Sequence, residues 1–463
     1  MLREGKHPAS RYPRNSPGRT CSQSEHTPYW ARKPGAMTKG RTVLLAFVAL
    51  SLVGAACGNA TSKAIAGGTG DPGVTATSIQ LGSIANLTGV LSSDFAGVVN
   101  GVKAYFDMVN AAGGVDGRKL DLAFQYDDQG NPTTDLTDAE ELLEQDHVFA
   151  VVGVGTPFFG GASYLAHEGV PTFGYMVGPG WSDGPGLFAD YGSDLDYSTA
   201  EMGWAWVANQ WHATSVGVIA YGVAQSADAC QAAINGFRSF GITLGFSDLD
   251  YGIGADPTPD VLQMKAHHVD MVLTCLDVSG NIAFAQAMDQ NGLDIHQLWE
   301  NGYDRSTLQQ YGSLLNGVTV GLQHVPFEAP AAFPGVYPGM ETYLREMAKY
   351  EPASEYDEVA LDGWINAAQF VAGLQAVGRD LTQRKLVTAI NEETDFTADG
   401  LMTPQNWTDS HTSPGTGPFC ASYVQAENGK WVPTLIQGTS SVFTCFNRGS
   451  DVPVPPAPGT PGT

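Results

Sequence analysis

The sequence has few basic residues, with 23 Lys and Arg against 48 Asp and Glu and a formal net charge of −25. Nine of those basic residues and two of the acidic ones lie in residues 1–57, so the rest of the chain carries a net charge of −32. A surface that acidic repels the phosphates of nucleic acids and of anionic lipids. We therefore expect neither to be a partner of the folded part, and the acid excess favours solubility.

Catalytic and metal-binding patterns are also missing. The chain contains no Gly-x-Ser-x-Gly, His-Glu-x-x-His or phosphate-loop motif. The four cysteines after residue 57 include no Cys-x-x-Cys pair of the kind that binds zinc. The sequence thus predicts no enzyme, no metal site and no cofactor.

Apolar runs long enough to cross a membrane are absent, and the run at residues 43–53 is too short to span one. Two basic residues precede this run and small residues follow it, which predicts an export signal. The small residues before Cys57 resemble the lipobox of bacterial lipoproteins, in which the cysteine is acylated, although Gly54 replaces the usual Leu or Val. A plain secretory signal cleaved nearby is the alternative. Translation could start at Met1 or at Met37.

From residue 79 onward, strand patterns alternate with helix patterns. The first unit runs from a strand at 79–84, through a helix that ends at Gly113 and Gly114, to a strand at 120–126. The nearly all-apolar strand at 149–154 is typical of a parallel sheet covered on both faces. Further strands are predicted at 170–175, 215–221, 242–247, 271–276 and 297–300. This pattern predicts an α/β fold with two doubly wound, Rossmann-like units.

Four cysteines in an exported protein favour two disulfides, for which three connectivities are possible. Cys230 lies in the first turn of a predicted helix, and Cys275 lies at the end of a predicted neighbouring strand. Cys420 and Cys445 flank a predicted strand pair. We therefore predict the pairs Cys230–Cys275 and Cys420–Cys445.

Several stretches of the chain resemble one family. They are LGSIANLTG from residue 81, VNAAGGVDGRKL from residue 109, QYDD from residue 125, AVVG from residue 150 and EGVP from residue 168. Together they resemble the substrate-binding proteins of ABC importers of the leucine/isoleucine/valine-binding type, which are type I periplasmic binding proteins. The resemblance covers roughly residues 77–446, and its most specific part is the stretch at 110–118.

The resemblance implies two α/β lobes, joined by three crossing strands, that close on a ligand. The chain would cross near Asp196, Phe327 and Gly415. The implied segments are a signal at 1–57, a flexible tether at 58–76, lobe 1 at 77–196 with 329–415, lobe 2 at 197–328 with 416–447, and a disordered tail at 448–463.

Loops that follow the strands carry the candidate ligand-binding residues. In the similar family, the loop at Gly155 and Thr156 would hold a ligand carboxylate, although Thr156 is equally suited to be a helix N-cap. Glu300 and Asp304 would pair with a ligand amine. The full set is Thr88, Phe95, Gly155, Thr156, Tyr175, Met176, Val177, Tyr197, Gln225, Asp277, Glu300, Tyr303 and Asp304. The pair Trp204 and Trp211 is expected to pack within the protein core rather than to line a ligand cage.

The resemblance implies an extracytoplasmic, monomeric solute-binding protein, lipid-anchored through Cys57 to the outer face of the cell membrane. Its partners would be ABC permease subunits and a small organic solute, such as an amino acid, an amide or a carboxylic acid. The alternative is a ligand-sensing receptor domain that works with a separate signalling protein. A secreted enzyme is the third class, which the lack of a catalytic motif disfavours.

Overall fold

The computed structural model describes residues 71–193, 202–408, 410–411, 419–436, 441–447 and 452–463. The predicted export signal, Cys57 and most of the predicted tether lie outside these ranges. Within them, no helix combines the length and the apolar character that a membrane crossing needs.

The first lobe is built on a five-stranded, all-parallel sheet in the order β2-β1-β3-β4-β5. Its strands are β1 (Ser78–Ala85), β2 (Lys119–Asp127), β3 (Ala150–Val154), β4 (Thr172–Gly174) and β5 (Leu187–Ala189). The helices between them are α1 (Gly97–Ala111), α2 (Pro132–Glu144) and α3 (Ala162–Glu168). Every residue of β3 is buried, as expected for a central parallel strand.

The second lobe is built on a nine-stranded mixed sheet in the order β14-β13-β11-β10-β9-β8-β6-β7, with β12 paired to β11. Its strands are β6 (Ser215–Tyr221), β7 (Thr243–Tyr251), β8 (Met271–Cys275), β9 (His296–Trp299), β10 (Thr319–Leu322), β11 (Phe419–Glu427), β12 (Lys430–Thr434), β13 (Thr444–Phe446) and β14 (Pro453–Val454). Strands β6 to β10 are parallel, and β11 reverses direction against β10. The helices that accompany the sheet are α4 (Met202–Gln210), α5 (Ala224–Ser239), α6 (Thr258–Ala266), α7 (Val278–Asn291) and α8 (Arg305–Tyr311).

Between β10 and β11 the chain forms four further helices. They are α9 (Ala329–Ala332), α10 (Pro338–Tyr350), α11 (Glu358–Val377) and α12 (Gln383–Asn391). Helix α11 packs along α1, where the rings of Tyr105 and Trp364 meet edge to face at 4.8 Å. It also covers the first sheet, where Phe370 meets Phe173 at 5.5 Å. The chain therefore returns to the first lobe before it completes the second sheet, which is the two-lobe α/β fold that the sequence predicts.

The crossing predicted near Phe327 falls between β10 and α9, where this residue is buried. Those predicted near Asp196 and Gly415 lie outside the described residues. The exact lobe boundaries therefore stay a prediction.

Both predicted disulfides are present. Cys230 in α5 is bonded to Cys275 at the end of β8, with their Cα atoms 6.0 Å apart. Cys420 is bonded to Cys445, its direct partner in the antiparallel pairing of β11 with β13. Each bond therefore joins neighbouring elements of the second lobe.

Two terminal segments are more ordered than the sequence predicts. Within the predicted tether, Val74 is buried and forms an isolated antiparallel β-bridge with Ile79. The Asp71 carboxylate accepts a 2.6 Å hydrogen bond from the backbone N–H of Gln383. Within the predicted disordered tail, β14 pairs with β13. Proline is compatible with such a strand because β14 forms the edge of its sheet and needs fewer amide donors.

Candidate functional site

A cavity of about 420 Å³ lies between the two lobes, at the loops that follow the parallel strands. Ligands of open α/β sheets bind at this edge because the loops after the strands converge there. The first lobe contributes Leu91, Asp94, Phe95, Pro157, Phe158, Tyr175, Met176, Val177, Tyr191, Glu358 and Asp362. The second lobe contributes Trp204, Tyr221, Val223, Gln225, Ser226, Leu276, Asp277, Glu300 and Asn301, together with residues of β10, β11 and β13. Neither lobe alone forms the enclosure.

The two walls touch each other through polar contacts. The Gln225 side-chain amide donates a 2.6 Å hydrogen bond to the carbonyl oxygen of Pro157. The backbone N–H of Val278, at the start of α7, donates to Asp94 Oδ1 across 3.1 Å. The Tyr175 hydroxyl lies 3.4 Å from Asn301 Oδ1. The lobes are therefore closed on each other in this structure.

Five carboxyl groups line the cavity. They are Asp94, Asp277, Glu300, Glu358 and Asp362. Burial raises the pKa of Asp94 to about 7, with a further contribution from the negative charge of Asp277. Burial also raises the pKa of Glu300 to about 7 and lifts that of Asp362 well above its ordinary value. Because charged groups lose hydration here, the site favours either neutral carboxyls or a cation that replaces the lost water.

Asp190 lies behind this wall and adds to the buried charge. Its Oδ1 accepts hydrogen bonds from the amides of Met176 and Tyr191, both at 3.1 Å. Its Oδ2 is buried with no hydrogen-bond partner within the described structure. Burial raises the pKa of Asp190 to about 8 in spite of those two bonds.

We expect the solute-free protein to lose stability as the pH rises from 5.5 to 8.5. Asp94, Glu300 and Asp190 have folded-state pKa values of about 7 to 8, above their ordinary values of 3.8 for Asp and 4.5 for Glu. The folded state thus binds more protons than the unfolded chain in this range, so the free energy of unfolding falls with pH. Urea unfolding at several pH values measures the effect.

The substitution Glu300→Gln should flatten this pH dependence, because it removes one of the groups that titrate. Asp121→Asn, which removes an exposed carboxylate of β2, should leave the pH dependence as in the wild type. An unfolding midpoint that is constant or rises between pH 5.5 and 8.5 would contradict the assignment.

The structure brings seven of the predicted ligand-binding residues to the cavity. They are Phe95, Tyr175, Met176, Val177, Gln225, Asp277 and Glu300. All except Phe95 follow the end of a strand, which is the rule that selected them. Tyr197, like Cys57, lies outside the described residues.

Three predicted residues of the first lobe are placed outside the lining. The Thr88 hydroxyl donates to Asp127 across 2.5 Å. The Thr156 hydroxyl donates to the buried carboxylate of Asp128 and also accepts from the amide of Phe158. Gly155 has so little room that a Cβ would lie 2.7 Å from Val98 Cγ1. The loop thus turns its one hydroxyl into the interior.

Two predicted residues of the second lobe also lie outside the lining. The Asp304 carboxylate caps α8, where it accepts a 2.6 Å hydrogen bond from the amide of Thr307. Tyr303 is buried, stacks on Phe327 with ring centroids 4.8 Å apart, and accepts a 2.7 Å hydrogen bond from the Phe327 amide. In this loop, Glu300 and Asn301 line the cavity instead.

Sequence reasoning missed several lining residues, including Asp94, Tyr191, Glu358 and Asp362. Glu358 and Asp362 lie four residues apart at the start of α11, a spacing that puts them on one helix face. That spacing was the available signal. Trp204 is buried and packs on Tyr423, as expected, and it also lines the cavity. Trp211 instead stacks on His296 at 4.6 Å, away from the cavity.

No group of three or more His, Cys, Asp or Glu side chains is arranged to hold a metal ion among the residues that the structure describes.

Comparison with known proteins identifies the family. The model of a family described as periplasmic binding protein matches residues 78–430. A comparison with curated protein sequences gave no significant match.

Solved structures share the fold. One is a fatty acid ABC transporter substrate-binding protein from Thermomonospora curvata, with 19% identity over 80% of this chain and 94% of that chain and a TM-score of 0.63. Another is an ABC transporter solute-binding protein from R. palustris in complex with 4-hydroxybenzoate. It has 16% identity over 81% of this chain and 98% of that chain, and a TM-score of 0.65. A leucine-binding protein from Thermotoga maritima MSB8 has 14% identity over 77% of this chain and 97% of that chain, and a TM-score of 0.63. At these identities the likeness establishes the fold alone, whereas the family model spans most of the chain. The chain therefore belongs to the periplasmic binding protein family, a family of extracytoplasmic binding proteins rather than enzymes.

Proposed function

We propose that the chain is the solute-binding protein of an ABC importer and captures an amino acid or a related small organic solute between its lobes. The observation that carries this proposal is the cavity of about 420 Å³ whose wall is shared by both lobes. Its volume lies within the range of roughly 300–1,000 Å³ that is usual for ligand pockets. The similar structures are named for a fatty acid, leucine and 4-hydroxybenzoate, so this fold accommodates several classes of solute.

The proposed mechanism is closure of the lobes. A solute that contacts Tyr175 on one wall and Glu300 on the other has all its contacts only in the closed form. Binding therefore shifts the population toward that form. The contacts of Gln225 with Pro157 and of Asp94 with Val278 join the lobes and add to the stability of the closed form. The permease would recognise this closed shape, and acylation of Cys57 would keep the protein at the membrane.

The test is a solute panel applied to the protein purified from an exporting host. The panel contains amino acids, amines, small carboxylic acids and fatty acids. The readouts are the melting temperature and the tryptophan fluorescence, to which Trp204 at the cavity wall contributes. At a concentration one hundred times its Kd, a true ligand should stabilise the protein by about 2.7 kcal/mol. Native mass spectrometry of the same sample would detect a solute that co-purifies.

Failure of every panel member to raise the melting temperature, with no co-purifying solute, would contradict the solute-binding proposal.

For the anchor, Cys57→Ser should release the protein from the membrane fraction and abolish labelling by palmitate. Release without any change in labelling would contradict acylation at that residue.

A further inference from the structure

The charged side chains of the cavity lining are almost all acidic. Five carboxyl groups line it, and none of the described lining residues is a lysine or an arginine. His324 is the basic side chain of the lining, and its Nε2 lies 3.2 Å from Glu358 Oε1. Its Nδ1 lies 3.0 Å from the carbonyl oxygen of Val325, so Nδ1 carries a proton there. Both ring nitrogens of this histidine therefore contact groups of the protein, and it does not offer a free positive charge to a ligand.

Two of the five carboxyls accept hydrogen bonds from the protein through both of their oxygens. Asp277 caps α7 through the amides of Ser279 and Gly280, at 3.1 and 3.0 Å. Asp94 accepts from the Val278 amide at 3.1 Å and from the Ser93 hydroxyl at 2.9 Å. Glu358 is paired through Oε1 with His324, so three of the five groups are either hydrogen-bonded through both oxygens or paired with a basic side chain.

The remaining two carboxyls face the cavity from opposite lobes. Asp362 in α11 is 2% exposed, and one of its oxygens accepts a 2.8 Å hydrogen bond from the Tyr191 hydroxyl. Its other oxygen has no hydrogen-bond partner within the described structure. Glu300 follows β9 in the second lobe and has the Trp204 side chain as its polar neighbour. A ligand that reaches both carboxyls would contact both lobes.

Aromatic rings form much of the remaining wall. They include Phe95, Phe158, Tyr175, Tyr191, Trp204 and Tyr221. Such rings pack against an apolar body and present their negative faces to a cation. The cavity therefore combines two available carboxyls with surfaces that favour a cation bearing an apolar group.

The described lining offers no lysine or arginine to pair with a ligand carboxylate. The hydroxyl of Thr156, which the sequence assigned to this task, is bonded to Asp128 in the interior. The carbonyl oxygen of Pro157, which lines the cavity, accepts a hydrogen bond and cannot donate one to a carboxylate. Each lining carboxyl that is ionised would also repel a negative charge.

We propose that the solute is an organic cation, an amine with an aromatic or aliphatic body and no free carboxylate, held between Asp362 and Glu300. This assignment rests on the proposed solute-binding function and narrows its ligand class. It differs from the zwitterionic amino acid that the family resemblance implies.

The experiment compares matched probes by isothermal titration calorimetry on the exported protein. The aromatic series is tyramine, tyrosine and 3-(4-hydroxyphenyl)propanoate, and the aliphatic series is 3-methylbutylamine, leucine and 4-methylpentanoate. In at least one series the amine should bind at least tenfold more tightly than the zwitterion, and the acid should not bind. Equal or tighter binding of the zwitterion or the acid would overturn the assignment.

The variants Asp362→Asn and Glu300→Gln keep the shape of each side chain and remove its charge. Because a hydrogen bond to a charged group contributes more than a neutral one, each variant should weaken amine binding by about tenfold or more. Asp121→Asn serves as the control and should bind like the wild type, since Asp121 does not line the cavity. Circular dichroism and the melting temperature check that each variant is folded.

The outcomes separate this inference from the proposed function. If a member of the wider solute panel binds but no amine does, the cation assignment is wrong and the solute-binding function stands. If amines bind with the same affinity to the wild type and to both folded variants, the roles of Asp362 and Glu300 are wrong. If no solute of any class binds or co-purifies, both proposals fall.

Discussion

Replacing Gly101 or Gly363 by alanine should lower the free energy of unfolding by about 3 kcal/mol, because a side chain there would collide with the backbone of a neighbouring helix. A Cβ on Gly101 of α1 would lie 1.7 Å from the carbonyl oxygen of Ala360 in α11. A Cβ on Gly363 of α11 would lie 1.9 Å from the carbonyl oxygen of Val98 in α1. The two helices can make room only by separating, which would open the core around Trp364.

The sign of this effect is informative. Helix propensity alone predicts that Gly→Ala inside a helix stabilises a protein by roughly 0.5–1 kcal/mol. Close packing predicts the opposite sign, so urea unfolding of Gly101→Ala decides between the two effects. Asp107→Ala, an exposed position on α1, is the matched control and should stay within about 0.5 kcal/mol of the wild type. A Gly101→Ala protein as stable as the wild type would show that α1 and α11 do not pack this closely.

The helix pair also bears on the site. Helix α11 carries Glu358 and Asp362 on its first turns, so its distance from α1 sets the position of the first-lobe wall. We therefore expect Gly363→Ala to weaken solute binding in addition to its effect on stability.

Removing the disulfide Cys230–Cys275 should cost about 4 kcal/mol of stability. The bond closes a loop with a sequence separation of 45, and for that length the chain-entropy model gives about 4 kcal/mol at 25 °C. The double variant Cys230→Ala/Cys275→Ala is suitable because both cysteines are buried and a single substitution would leave a free thiol. Its unfolding free energy in urea is the measurement.

The second disulfide provides the comparison. Cys420–Cys445 closes a loop with a separation of 25, for which the same model gives about 3.5 kcal/mol. The double alanine variant of this pair should therefore lose slightly less stability than the first. Neither loss should appear when the corresponding variant is compared with the wild type under reducing conditions, since the bond is then open in both proteins. A double variant as stable as the oxidised wild type would contradict the prediction.

Much of the fold was predictable because its signals are local. The apolar run that became β3 and the helix stripe that became α1 both reflect periods of a few residues. The pairing of Cys230 with Cys275 followed from the same map, because both lie at one edge of the second sheet. The tail was the exception, since Pro453–Val454 becomes a strand only through its pairing with β13.

The site was predictable only in part. Tyr175, Gln225 and Glu300 were found because loops after parallel strands converge at one edge of a sheet. Asp304 was misplaced because its loop continues past the cavity and its carboxylate caps α8. Trp204 lies on a helix rather than after a strand, so the strand-end rule could not select it.

The sequence by itself determined the strand and helix order, the family and the acidic character of the protein. These depend on the identity and spacing of residues close together in the chain. Only the tertiary structure decided which polar groups the protein uses internally and which it leaves to a solute. The Thr156 hydroxyl is bonded to Asp128, whereas one oxygen of Asp362 has no hydrogen-bond partner among the described residues. The difference arises because hydrogen bonds and burial depend on residues far apart in the chain, such as Tyr191 and Asp362, that only folding brings together.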